Sequence, residues 1–126
     1  MPKILVVDDD PSIRSLVADS LGLEGYEVLV AEDGFAGLRA IDSYRPDCVL
    51  LDVMMPGLDG HQVLQRIRSA EDSPALPVVM LTAYADDNNA WQAWTEGVDY
   101  FLAKPFDADE LLRYLTYLFQ GSALAS

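Results

Sequence analysis

Five short apolar runs alternate along this chain with stretches whose apolar residues recur at helical spacing. Lys3 to Val7 reads as a strand that ends in three acids, Asp8, Asp9 and Asp10. Asp10 fits a helix N-cap, with Pro11 at the first helical position and Ile13, Leu16, Val17 and Leu21 as the apolar face. Gly22 and Gly25 close that helix. A second strand is expected over Tyr26 to Ala31, a turn at Asp33-Gly34, and a second helix through Phe35, Leu38 and Ile41 that stops before Pro46. Cys48 to Leu51 is apolar throughout and predicts a strand buried on both faces, with Asp52 at its carboxyl end. Pro56, Gly57 and Gly60 mark a tight loop, and Val63, Leu64 and Ile67 mark a third helix. After a loop over Asp72, Ser73, Pro74 and Pro77, a fourth strand runs from Val78 to Leu81 and ends at Thr82. A fourth helix is expected from Asp87 to Glu96, stopping at Gly97, and a fifth strand from Tyr100 to Ala103, ending at Lys104-Pro105. Asp107 and Glu110 fit a capping box for a last helix striped by Leu111, Leu112, Leu115, Leu118 and Phe119.

Strands that alternate with helices and connect by right-handed crossovers give an α/β fold: a five-stranded parallel sheet with helices on both faces. The 126 residues suit one domain, expected over 1–120, with a small flexible tail over 121–126.

Charge narrows the function. Twenty-one acidic residues against eight basic ones give a formal net charge of −13. No basic cluster offers a footprint for nucleic acid, so direct nucleic-acid binding by this segment is not expected. No apolar run approaches the roughly 20 residues that span a bilayer, and no membrane partner is expected. The single cysteine, Cys48, cannot form an internal disulfide and falls in a buried strand, which favours a cytoplasmic setting and a core role over a reactive thiol.

The acids acquire meaning from where the strands end. In open α/β sheets, ligands collect outside the carboxyl ends of the strands. The first strand brings Asp8 and Asp9 to that rim, the third Asp52, the fourth Thr82 and the fifth Lys104. Three carboxylates packed together need compensation, and hard oxygen ligands of this kind suit Mg²⁺. A cation there would let a phosphoryl group approach the acids. Thr82 supplies a hydroxyl, Lys104 a point charge, and Asp52 the candidate nucleophile for an acyl phosphate.

These residues stand within longer motifs: Ile4-Leu5-Val6-Val7-Asp8-Asp9-Asp10, Leu51-Asp52-Val53-Met54-Met55-Pro56-Gly57-Leu58-Asp59-Gly60, Leu81-Thr82-Ala83, and Gly97-Val98-Asp99-Tyr100-Phe101-Leu102-Ala103-Lys104-Pro105-Phe106. In this order and spacing, over almost the whole chain, the sequence resembles the response-regulator receiver domain of two-component signalling. The resemblance implies a flavodoxin-like (βα)5 fold. It implies that Asp52 accepts a phosphoryl group from the phosphohistidine of a sensor histidine kinase or phosphotransfer protein. Asp9, Asp52 and the Met54 carbonyl would bind Mg²⁺, with Asp8 assisting through water. Thr82 and Lys104 would hold the phosphoryl oxygens. Thr82, Phe101 and Pro105 would form the switch, Lys104-Pro105 being a cis peptide. Output to a downstream effector domain or protein, or a homodimer, would use the face formed by the fourth helix, fifth strand and last helix. On this reading the protein is a signalling switch with intrinsic autophosphorylation and autodephosphorylation, not a metabolic enzyme.

One position departs from the family's commonest residue, and two others stand where the family varies. Residue 101 is Phe where Tyr is frequent, and Met54 and Tyr84 flank the site at positions that tune dephosphorylation, their size suggesting a long-lived phosphoryl group. The rival functions are a phosphorylation-independent interaction module that kept the fold, and a Mg²⁺-dependent phosphatase, which would need a second acid close after Asp52 and a cap. Other features have plainer readings: His61 as a solvated helix residue, Asp59 as a turn and cap, and Asp86-Asp87 as a helix start. Trp91 with Trp94 and Tyr114 with Tyr117 share helix faces, and the two tyrosines are expected to point outward.

Overall fold

Each strand of the central sheet alternates its side chains between two hydrophobic cores. In the computed structural model, which describes residues 1–70, 75–82, 97–104 and 107–121, five parallel strands form one sheet in the order β2-β1-β3-β4-β5. They are β1 (Lys3–Val7), β2 (Glu27–Ala31), β3 (Cys48–Asp52), β4 (Val78–Thr82) and β5 (Tyr100–Ala103). Leu5, Val7, Val49, Leu51, Val78 and Met80 face one core, shared with Ile41, Val63, Leu64 and Ile67. Ile4, Val6, Cys48, Leu50, Val79 and Leu81 face the other, shared with Val17, Leu21, Leu111 and Leu115. All five residues of β3 are buried, as its unbroken apolar run requires of a central strand covered on both sides.

The helices supply those covers. Among the described residues they are α1 (Pro11–Leu23), α2 (Gly34–Tyr44), α3 (Gly60–Ser69) and a C-terminal helix, Ala108–Thr116, followed by a π turn over Tyr117–Gly121. The crossovers place α2 and α3 on the first core, and α1 with the C-terminal helix on the second. Each start is capped by an aspartate: Asp10 accepts from the Ser12 amide, Asp33 from Ala36, Asp59 from Gln62 and Asp107 from Asp109.

Several expectations shift locally. The second strand starts at Glu27, because the Tyr26 amide donates back to the Leu21 carbonyl of α1 at 3.1 Å, with the Tyr26 ring 6.1 Å from that of Phe119. Asp33-Gly34 is the cap and first residue of α2 rather than a free turn. The capping box falls at α3, where Asp59 and Gln62 bond reciprocally. At the C-terminal helix Asp107 caps a different amide, and Glu110 accepts instead from the Tyr100 hydroxyl at 3.1 Å. The expected fourth helix from Asp87 to Glu96, with Trp91 and Trp94, lies outside the described residues. So do Tyr84, Asp86, Pro105, Phe106, the 71–74 loop and the tail from 122 onward.

Candidate functional site

Strand order reverses between β1 and β3, whose chains leave the sheet in opposite directions. That switch point opens a crevice at the strands' carboxyl ends. Asp8 follows β1 and continues its ladder by one bond, its amide donating to the Ala31 carbonyl at 3.1 Å. Asp52 closes β3. Asp8 is 1% exposed and Asp52 5%, while Asp9 lies open to solvent. One carboxylate oxygen from each of the three falls within 4.8 Å of the others.

The close approach at Asp52 depends on Gly60. A methyl group on Gly60 would strike the Asp52 carbonyl oxygen and come within 2.8 Å of Val53 Cα, so α3 packs against the end of β3 only because this residue is glycine. The Gly60 amide donates to the Val53 carbonyl at 2.9 Å and ties the loop to the strand. Gly57, at φ +79°, makes the intervening turn. Met54, two residues beyond Asp52, is half exposed at the mouth of the crevice.

Lys104 reaches this cluster from the far side of the sheet. Its Nζ donates to Asp8 Oδ2 at 2.7 Å and lies 3.5 Å from Asp52 Oδ1. Burial alone would lower the Lys104 ammonium, but its hydrogen bond to Asp8 and the Asp52 charge outweigh that and hold it above the ordinary lysine value. One ammonium does not neutralise three carboxylates. Burial and the Asp8 charge push Asp52 up to about 7, against the opposing pull of Lys104. The site is therefore short of positive charge, and its donors are hard oxygens brought together at one rim. Both properties fit a divalent cation of the Mg²⁺ type.

The remaining expected residues fall at the same rim or beside it. Thr82 ends β4, with its backbone in register with Ala103, and its side chain lies outside the described part of the chain. Phe101 is half-buried on β5 against the core shared with α3. Pro105 lies outside the described residues, and with it the Lys104-Pro105 peptide.

The lesser readings divide. Cys48 is fully buried, and burial pushes its thiol up and out of reactive range. Tyr117 points outward at 74% exposure, but Tyr114 is half-buried, stacked on Tyr100 at 4.3 Å with ring planes 10° apart. His61 is buried rather than solvated, because the close seating of Gly60 sinks the first turn of α3 onto the sheet. The spacing of His61 to Leu64 on one helix face was the available signal.

Two arginines escaped the sequence reading. Arg14 donates from Nη1 to the Asp8 carbonyl at 2.7 Å. Arg68, at the end of α3, donates to the Leu76 and Gly97 carbonyls at 2.6 and 2.9 Å and pairs with Asp99 at 2.8 Å. Each cation contacts backbone that is distant or irregular, which periodicity does not reveal.

Comparison with known proteins agrees with this architecture. The family model described as the response regulator receiver domain matches residues 4–116. The chain is 43% identical over 112 residues to the DNA-binding dual master transcriptional regulator RpaA of Synechocystis, covering 89% of this chain and 46% of that protein. It is 42% identical over 121 residues to the response regulator MprA of a Mycobacterium species, covering 96% and 52% respectively. The chain thus spans about half the length of these curated relatives. Among solved structures it is similar to the chemotaxis protein CheY4 of Vibrio cholerae, at 34% identity and TM-score 0.87, covering 92% of this chain and 97% of that one. A parallel sheet in the order 2-1-3-4-5, acids gathered at its switch point and a matching family model over nearly the whole length make this chain a member of the response-regulator receiver domain family of two-component signalling.

Proposed function

We propose that this receiver accepts a phosphoryl group on Asp52, from the phosphohistidine of a sensor histidine kinase or phosphotransfer protein, in a Mg²⁺-dependent reaction. The observation that carries the reading is the placement of Asp52: an almost fully buried carboxylate at the switch point, with two further acids and one lysine around it.

Asp9, Asp52 and the Met54 carbonyl would hold the cation, and Asp8 would assist through water. When bound, Mg²⁺ supplies positive charge that offsets the acids and draws phosphoryl oxygens toward Asp52. An Asp52 carboxylate oxygen attacks phosphorus, the phosphorus–nitrogen bond breaks, and the histidine nitrogen leaves with the electron pair. Lys104, already poised between Asp8 and Asp52, pairs with a phosphoryl oxygen, and Thr82 donates its hydroxyl to another. Thr82, Phe101 and the Lys104-Pro105 segment then shift between two states, of which the phosphoryl group favours one.

The receiver unit spans 1–120 on this reading, in a cytoplasmic setting. Its output is a downstream effector domain or protein, or a second copy of the chain, engaged through the face that carries β5 and the C-terminal helix. RpaA is named as DNA-binding; the net charge of −13 argues that any such contact is made by an effector and not by this segment.

The test is intact-mass spectrometry after incubation with Mg²⁺ and acetyl phosphate, beside Asp52→Ala. A single base-labile phosphoryl adduct on the wild type alone is expected. No adduct from acetyl phosphate or a partner kinase, together with no response to beryllofluoride, would replace this reading with a phosphorylation-independent interaction module.

A further inference from the structure

Asp9 is exposed, and its carboxylate takes no hydrogen bond or ion pair among the described residues, so the backbone that carries it is what fixes the point and direction from which the side chain leaves. That backbone is pinned on both sides of Asp9. The Asp8 amide is fixed to Ala31, and Asp8 Oδ1 accepts from the Asp10 amide at 2.9 Å. Asp10 in turn caps α1 through the Ser12 amide at 2.8 Å. Between those anchors lies the Asp8 carbonyl, half of the peptide that joins Asp8 to Asp9. Arg14, half-buried on the first turns of α1, donates to it from Nη1 at 2.7 Å.

We propose that Arg14 is a positioning residue for the divalent cation: by fixing the Asp8–Asp9 peptide it aims the Asp9 carboxylate at the point shared with Asp8 and Asp52. The proposal rests on reading those three acids as a Mg²⁺ site. A charge-assisted bond at this distance is short and directional. The planar guanidinium can also hold its donor in place, where a lysine ammonium on a flexible stem would wander.

Charge and geometry make opposite predictions here. A guanidinium bonded to the Asp8 carbonyl carries a charge that repels an incoming cation, so if its charge were what mattered, removing it would tighten Mg²⁺ binding. If it acts by aiming Asp9, removing it loosens Mg²⁺ binding. Groups that orient metal ligands in this way commonly govern affinity by about 10-fold or more.

The experiment is calorimetric titration of the whole chain with Mg²⁺, comparing wild type, Arg14→Met, Arg14→Lys, Asp9→Asn and the Arg14→Met/Asp9→Asn double variant, each checked for folding by circular dichroism. Arg14→Met is expected to weaken binding by about 10-fold, with Arg14→Lys in between. In the Asp9→Asn background the Arg14→Met change should add no further loss, a coupling that a purely structural arginine would not produce. Equal or tighter binding by Arg14→Met overturns the proposal, as does the same loss with and without Asp9. Should Arg14→Met fail to fold, wild-type affinity in Arg14→Lys overturns it. Absence of Mg²⁺ binding by the wild type removes the metal reading itself, a result distinct from binding that ignores Arg14.

Discussion

Lys104 donates to Asp8 across 2.7 Å although ninety-six positions separate them in the chain. Its side chain leaves the edge strand, passes over β4 and ends between the acids that close β1 and β3. The pair is almost dry, with Lys104 15% and Asp8 1% exposed. Breaking such a pair leaves a buried charge without its partner. Lys104→Met should therefore destabilise the metal-free protein at pH 7.5 by about 2–4 kcal/mol in urea denaturation. Added Mg²⁺ should return more stability to the variant than to the wild type. A variant as stable as wild type in EDTA would show that Lys104 is not the counter-charge of the cluster.

Asp52 carries the opposite liability. Its folded value is raised from 3.8 to about 7, first by burial and then by the Asp8 charge. The folded state therefore holds a proton on Asp52 that the unfolded chain has already released, and stability falls as pH rises between those values. Asp52→Asn should raise the melting temperature of the metal-free protein at pH 8 by about 3–8 °C. The gain should shrink steadily as pH is lowered to 5. A gain that is constant with pH, or a loss at pH 8, would contradict the charge balance described for the site.

Two glycine substitutions should act in opposite directions. Gly60→Ala pushes a methyl group into the Asp52–Val53 backbone and should cost about 1–3 kcal/mol. It should also slow the phosphorylation proposed for Asp52 by at least tenfold, because Asp52 must give way. Gly22, inside α1, has no atom within 4 Å of an added methyl, and Gly22→Ala should stabilise by about 0.5–1 kcal/mol. Chemical denaturation and the rate of adduct formation check both.

Arg68 closes a loop that neither neighbouring element closes. It fastens the end of α3 to the approaches of β4 and β5 through Leu76, Gly97 and Asp99, and Asp99 also accepts from the Val78 amide at 2.8 Å. Arg68→Ala should cost about 1–3 kcal/mol. Hydrogen exchange should quicken at the Val78 and Asp99 amides before it does in β1. Uniform quickening would show a global loss instead of local release.

Most of the frame was legible because it rests on local pattern. The run Cys48 to Leu51 could only be a doubly covered strand, and the cap at Asp10-Pro11 and the acids at strand ends follow from residue type and position. What escaped depends on tertiary contact. The depth of His61 comes from a helix seated on Gly60, and the engagement of Glu110 by Tyr100 outcompetes a local capping box. At the site, sequence order gathered Asp8, Asp9, Asp52 and Lys104 at one rim. It did not show that Asp8 is the most deeply buried of the acids and the closest partner of the lysine.

The origin of the counter-charge has a consequence for synthesis. Asp8, Asp9 and Asp52 all emerge from the ribosome well before Lys104, which follows the last strand of the sheet. A nascent chain that has made only its first three strands can form part of the sheet, but it carries a knot of repelling acids where the cluster will stand. The lysine that relieves part of that repulsion arrives with the final strand. The acidic centre thereby acquires its lysine only once the whole sheet has been made.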